Sequence, residues 1–164
     1  MTAIEEKLVE YIDDAYAMEQ NVMRMLDSMI GTTDDPQMKR ALENHRKETE
    51  KQAERLAQRL DAHGKTPSKV KAAGGIMGAL LKGVLDATRG DKAGRNARDG
   101  FATEHMEIAS YELLERVAKK AGDKETAKVA RQNREEEEAM AKRIAAKWNK
   151  TAELSLKESG VKTR

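Results

Sequence analysis

Two six-residue stretches, HRKETE at 45–50 and NREEEE at 133–138, carry Glu48 and Glu136 at their fourth positions inside helical, apolar-periodic segments. Three further acids stand on such stripes. Over residues 3–30 the inner face reads 8, 12, 15, 19, 22, 26, so Glu19 replaces an apolar residue in mid-helix. Over 101–121 it reads 101, 104, 107 or 108, 111, 114, 118, which sets Glu104 and Glu107 three apart beside Tyr111. The HRKETE segment reads 42, 45, 48 or 49, 52, 56 and joins His45 to Glu48, while the last segment reads 129, 133, 136, 140, 144 and selects Glu136. A small rotation of that last helix substitutes Glu135. Five carboxylates and an imidazole would then meet in the interior. Burying one unpaired carboxylate is costly, and clustering several adds like-charge repulsion unless protons or cations intervene. Two divalent cations roughly 3.5–4 Å apart, bridged by carboxylates, would neutralise such a cluster. Oxygen-rich ligation with an imidazole suits iron, with manganese as the alternative. His45 serves either as a ligand or as the partner that orients Glu48.

Four long helices must position these groups. Helix A spans 3–30 and stops at Gly31; helix B spans 36–63, with Asp35 as cap and Pro36 in the first turn. Helix C spans 101–121 and helix D spans 124–149, with Asp123 as the cap between them. Short loops join A to B and C to D, so each pair is expected to be an antiparallel hairpin. Residues 64–100 form a crossover holding eight of the eleven glycines. Over 64–98 it carries eight Lys/Arg against two Asp. Its centre, GGIMGALLKGVLDA, suits a short amphipathic helix, and AELSLKES in the tail suits another. The expected architecture is all-α, a single domain over 1–164: an up-down-down-up four-helix bundle with a long crossover.

The two hairpins repeat one another. Sliding residues 16–60 by 88 positions onto 104–148 gives ten identities in 45 without a gap. Among them are Met18-Glu19 on Met106-Glu107, Asp35 on Asp123, and Arg46, Glu48 and Arg55 on Arg134, Glu136 and Arg143. Glu19 precedes Glu48 by 29 residues, and Glu107 precedes Glu136 by the same 29. A pseudo-twofold axis is implied. It is imperfect at the site, since His45 falls on Asn133.

Composition narrows the chemistry further. The chain has no cysteine, which removes disulfides, thiolate-ligated zinc and thiol catalysis. No apolar run approaches a membrane span and no signal pattern opens the chain, so a cytoplasmic protein without a membrane partner is expected. Charged residues make up 37% of the chain at a net charge of +2, the balance of long solvated helices. The basic crossover lacks aromatic residues for base stacking, which argues against nucleic acid as a partner.

The strings YAMEQ (16–20), HRKETEKQAERL (45–56), EHMEIASYELL (104–114) and the Glu135-Glu136 pair resemble the YciE/YciF-type family of bacterial ferritin-like proteins. The resemblance covers nearly the whole chain. It implies a ferritin-like bundle, commonly a homodimer, with a di-iron centre and a link to stress responses. Carried over by motif, it implies Glu19, His45, Glu48, Glu104, Glu107 and Glu136 as metal-binding residues. One departure from the wider ferritin-like pattern stands out: Lys51 follows Glu48 by three and Ala139 follows Glu136, so neither hairpin has Glu-x-x-His. Two functions follow from these expectations. One is a ferroxidase or related di-iron oxidoreductase using dioxygen or peroxide. The other is a non-catalytic, stress-associated bundle with a vestigial site that acts as an interaction module.

Overall fold

The computed structural model of the chain describes residues 1–68, 75–86 and 88–162, without the side chains of residues 75 and 76. Residues 69–74 and 87 of the expected crossover therefore lie outside the described residues. Six helices follow in order: α1 (Ala3–Thr32), α2 (Pro36–Ala62), α3 (Gly75–Leu85), α4 (Lys92–Ala121), α5 (Lys124–Ala145) and α6 (Trp148–Glu158). There is no strand among the described residues, and no helix is long and apolar enough to cross a membrane. Helices α1, α2, α4 and α5 form the up-down-down-up bundle; α3 packs on α1 and α4, and α6 packs on α4.

Side chains at the helix ends fix where each helix begins. Thr2 and Glu5 form a capping box at α1, the Thr2 amide donating to Glu5 Oε2 at 2.6 Å. Asp35 Oδ1 accepts from the amides of Gln37 and Met38 at 3.1 and 2.9 Å, with Pro36 pre-set for the first turn of α2. Gly122 (φ +77°) ends α4 in the left-handed conformation, and Asp123 then starts α5. Asp123 has several duties. It accepts from the Thr126 amide at 2.9 Å and, across the seam to α2, from Arg59 at 3.1 Å and His63 at 2.8 Å. Burial raises its carboxyl pKa, but the hydrogen bonds of Thr126, His63 and Arg59 outweigh this and hold it well below the ordinary carboxylate value. Asp123→Ala removes a cap and two cross-helix contacts together. We expect a loss of about 2 kcal/mol, read as a lower midpoint in urea with an unchanged slope.

Two boundaries differ from the sequence expectation. Helix α4 starts at Lys92, nine residues before Phe101, because Asp91 caps it by accepting from the Gly94 amide at 3.2 Å. Gly94 and Gly100, read from sequence as loop residues, lie inside this helix. A Cβ on Gly100 would meet Ile144 Cδ1 at 3.8 Å, ordinary contact distance, so α4 and α5 run close together there. With this extension α1 and α4 are both 30 residues long, as a pair of like hairpins requires. Helix α5 stops at Ala145 instead of running to 149, and Trp148 opens α6 after a turn.

The core has two apolar halves. Leu8, Ile12, Leu56, Leu60, Leu114 and Ala130 belong to one cluster at the α1 N-terminal end. Val22, Met25, Leu26, Met29, Met77 and Val84 form the other, where α3 closes over α1 and Ser28 Oγ donates to the Val84 carbonyl at 3.1 Å. Between the two halves the stripe turns polar on every bundle helix.

Candidate metal centre

The polar layer consists of Glu19 from α1, His45 from α2, Glu104 and Glu107 from α4, and Glu137 from α5. None is more than 2% exposed. Two groups of possible ligand atoms, each with members within 4.8 Å of one another, occur among the described residues: His45, Glu104 and Glu137, and Glu19, Glu107 and Glu137. Glu137 belongs to both. His45 Nε2 lies 3.0 Å from Glu104 Oε1 and 3.9 Å from Glu137 Oε2, so the imidazole faces the cluster. Tyr111 donates its phenol proton to Glu19 Oε1, and Asn133 Nδ2 donates to Tyr111 Oη at 3.1 Å. Arg55 in turn donates to Asn133 Oδ1, so this layer is tied to the α2–α5 seam.

Six carboxylate oxygens in the layer, one each on Glu19 and Glu104 and both on Glu107 and Glu137, have no hydrogen-bond partner among the described residues, and neither does His45 Nδ1. Native interiors rarely leave such groups unsatisfied. The electrostatics agree. Burial, opposed by the Tyr111 hydrogen bond, raises Glu19 to a pKa of about 8. Burial, then contact with Glu104 and its charge, raises Glu137 to about 10, and burial with the charges of Glu137 and Glu19 puts Glu107 well above the ordinary value. Burial lowers the pKa of His45, but the Glu104 charge overrides it and the ring rises to about 10. The layer thus holds more negative charge than it can keep ionised unaided, and it presents oxygens plus one imidazole nitrogen as donors. That donor set fits one or two divalent iron or manganese ions.

The six residues expected from sequence divide as follows. Glu19, His45, Glu104 and Glu107 converge. Glu48 stays at the edge, its side chain 29% exposed and its Oε2 3.7 Å from His45 Nδ1; contact with His45 holds its carboxyl below the ordinary value. Glu136 turns away. Its side chain is 21% exposed and accepts two bonds from Arg55, each 2.9 Å, and one from Gln52 at 3.1 Å. Glu135 is exposed. The α5 position in the cluster belongs instead to Glu137, which the sequence reading missed. That reading set the phase by Val129, Met140 and Ile144, of which only Met140 is buried, whereas the buried stripe also runs through Ala127, Ala130, Asn133, Glu137 and Ala141. Small residues carry little hydropathy, and their stripe was the available signal.

A family model described as a domain of unknown function, DUF892, matches residues 3–156. The chain belongs to the DUF892 family. Among relatives of this DUF892 chain, protein YciF of Escherichia coli (strain K12) is 27% identical over 143 residues, 85% of the chain and 86% of YciF. The crystal structure of that E. coli stress protein has a TM-score of 0.71 at 24% identity, covering 99% of the chain and 100% of YciF. A solved protein from Xanthomonas campestris pv. campestris gives 0.80 at 26% identity, covering 96% of the chain and 99% of its own length. The bacterioferritin of Desulfovibrio desulfuricans, described with a diiron site in different catalytic states, gives 0.76 at 19% identity, over 94% of the chain and 88% of its own. The DUF892 chain therefore has the ferritin-like fold and the YciF-type kinship expected from its strings.

Proposed function

We propose that the protein is a ferritin-like di-metal protein that binds two iron ions in its mid-bundle layer and couples their oxidation to dioxygen or peroxide in stress protection. The supporting observation is Glu137, which stands in both ligand groups and would be shared by two ions held there. His45 and Glu104 would complete one position, Glu19 and Glu107 the other. Bound iron would supply the electrons for reducing the oxidant. The protein's own groups do the rest. Tyr111 fixes Glu19 by one oxygen and leaves Oε2 free for the cation, and Asn133 holds Tyr111 in that rotamer. The apolar cluster at the α1 N-terminal end keeps bulk water from the layer on that side. Likeness to the E. coli stress protein YciF supports the stress setting, and the family resemblance supports a homodimer acting in the cytoplasm.

Anaerobic titration with Fe(II) tests this directly. About two ions per chain should bind, and Glu19→Ala with Glu107→Ala should lower both occupancy and oxygen consumption. Wild-type iron binding by that double variant would refute the proposal.

A further inference from the structure

The bundle is sealed at one end and open at the other. At the α2 C-terminus, Arg59, His63 and Asp123 zip α2 to α5, and Arg55 with Glu136 extends the seam. Beyond that point a groove of about 1250 Å³ opens between α2 and α5, with α4 and α6 along its other wall. This exceeds the roughly 300–1,000 Å³ usual for small-molecule sites. Met25, Met29, Leu42, Met140, Ile144 and Leu154 give it an apolar wall, and its inner end is formed by His45 and Glu104. Charge at the mouth is uneven in availability. Glu136 is engaged by Arg55, Glu48 lies 3.9 Å from Arg143, Asp35 caps α2, and Glu158 accepts from the Ala93 amide at 3.2 Å. Lys47, Lys51, Lys147 and Lys157 have no ion pair among the described residues; of the lining acids only Asp34 has neither an ion pair nor a hydrogen bond among them.

We propose that this groove binds an amphiphilic carboxylate, with its apolar chain along the methionine wall and its head among the free lysines. The head belongs at the mouth because the unpaired lysines stand there, whereas at the inner end Glu104 already engages the His45 ring and no free cation is offered. Methionine suits such a wall, since its unbranched side chain adapts to a flexible hydrocarbon. The inner end of the chain then abuts His45 and Glu104, which makes the amphiphile a substrate class for the layer, a role that rests on the di-metal reading.

The test is calorimetric titration of the full chain with dodecanoate, dodecan-1-ol and dodecyltrimethylammonium below their micellar concentrations, with Mn(II) binding measured in parallel. Dodecanoate should fill one saturable site and the cationic amphiphile should bind at least about tenfold more weakly. Lys51→Glu with Lys147→Glu should weaken dodecanoate by about tenfold and leave the alcohol unchanged. Ala97→Trp, which fills the wall, should abolish binding of both while Mn(II) binding persists. Because Ala97→Trp could fail to fold, a diazirine-bearing dodecanoate provides an independent readout: cross-links should map to the groove segments of α1, α2, α4, α5 and α6. Equal binding of the cation, cross-links elsewhere, or a second copy covering the groove in a dimer that excludes dodecanoate would each overturn the proposal. Loss of Mn(II) binding with dodecanoate binding intact would overturn the metal reading alone.

Discussion

Glu137→Ala should abolish divalent-metal binding at both positions, while Glu136→Ala should leave metal occupancy unchanged and cost stability instead. The two residues are neighbours in one acidic run, yet they face different surroundings. Glu137 is fully buried, belongs to both ligand groups, and has no hydrogen-bond partner on either oxygen. Its removal deprives each ion of a shared ligand, and we expect affinity for Mn(II) or Fe(II) to fall at least about a hundredfold. It also removes an uncompensated buried acid, so the metal-free variant should be more stable than metal-free wild type by about 1–3 kcal/mol. Glu136 binds the Arg55 guanidinium at two 2.9 Å contacts in a half-exposed seam. Losing that fork should lower stability by about 1 kcal/mol, after discounting for solvent screening. Elemental analysis of the two purified variants, with thermal melts in chelator, separates these outcomes. Metal loss in Glu136→Ala with retention in Glu137→Ala would reverse the assignment.

The bundle was legible because long apolar periods, Asp35-Pro36 and the Gly122-Asp123 junction signal helix ends through local chemistry. Glu19, Glu104 and Glu107 were legible for a related reason: on α1 and α4 the phase is set by large residues such as Leu8, Ile12, Tyr111 and Leu114, all fully buried. On α5 the only large buried anchor is Met140, and the half-buried Val129 and Ile144 beside it shift the apparent phase toward Glu136. There the internal repeat also led the reading astray, because its most visible identities serve the seams. Shifting by 88 positions carries Glu48 onto Glu136 and Arg55 onto Arg143. In the fold Arg55 pairs with Glu136 at 2.9 Å, and Arg143 approaches Glu48 at 3.9 Å. Likewise Arg46 reaches Asp27 at 2.5 Å, and its equivalent Arg134 reaches Glu115, the equivalent of Asp27, at 2.9 Å. These reciprocal ion pairs hold α2 to α5 and each hairpin to itself.

On α2 and α5 the buried positions repeat in place but not in identity: His45 and Thr49 occupy on α2 the places that Asn133 and Glu137 occupy on α5. One hairpin therefore brings an imidazole and the other a bridging carboxylate. Two ions held by this layer would therefore have inequivalent surroundings, and the absence of Glu-x-x-His in either hairpin has its physical counterpart here. No identity search could show this. On α2 and α5 the residues that differ between the repeats are the ones whose side chains reach the layer, whereas Glu19 and Glu107 reach it unchanged.

Metal-free protein should lose stability as pH rises from about 5 to about 9, and saturating Mn(II) should remove or reverse that loss. Glu19 and Glu137 titrate at about 8 and about 10 in the fold against 4.5 ordinarily, and Glu107 is raised as well. Between those values the folded chain holds protons that the unfolded chain has released, so raising pH favours unfolding. His45 acts in the same direction. Its folded value of about 10 exceeds the ordinary 6.5, so its contribution is complete below 6.5 and disappears as pH climbs through 10. Together these should amount to about 3 kcal/mol or more between about pH 5 and 8. Metal ions need the same carboxylates deprotonated, so their binding strengthens over the window in which the metal-free fold weakens. Denaturant midpoints measured across this range, with chelator and with Mn(II), should diverge as pH increases. Glu107→Gln with Glu137→Gln should flatten the chelator curve, because neutral amides have no proton to release. A chelator curve that is level or rising through the window would mean that these carboxyls are already neutralised within the fold by something other than protons or cations, and the charge argument for the site would fail with it.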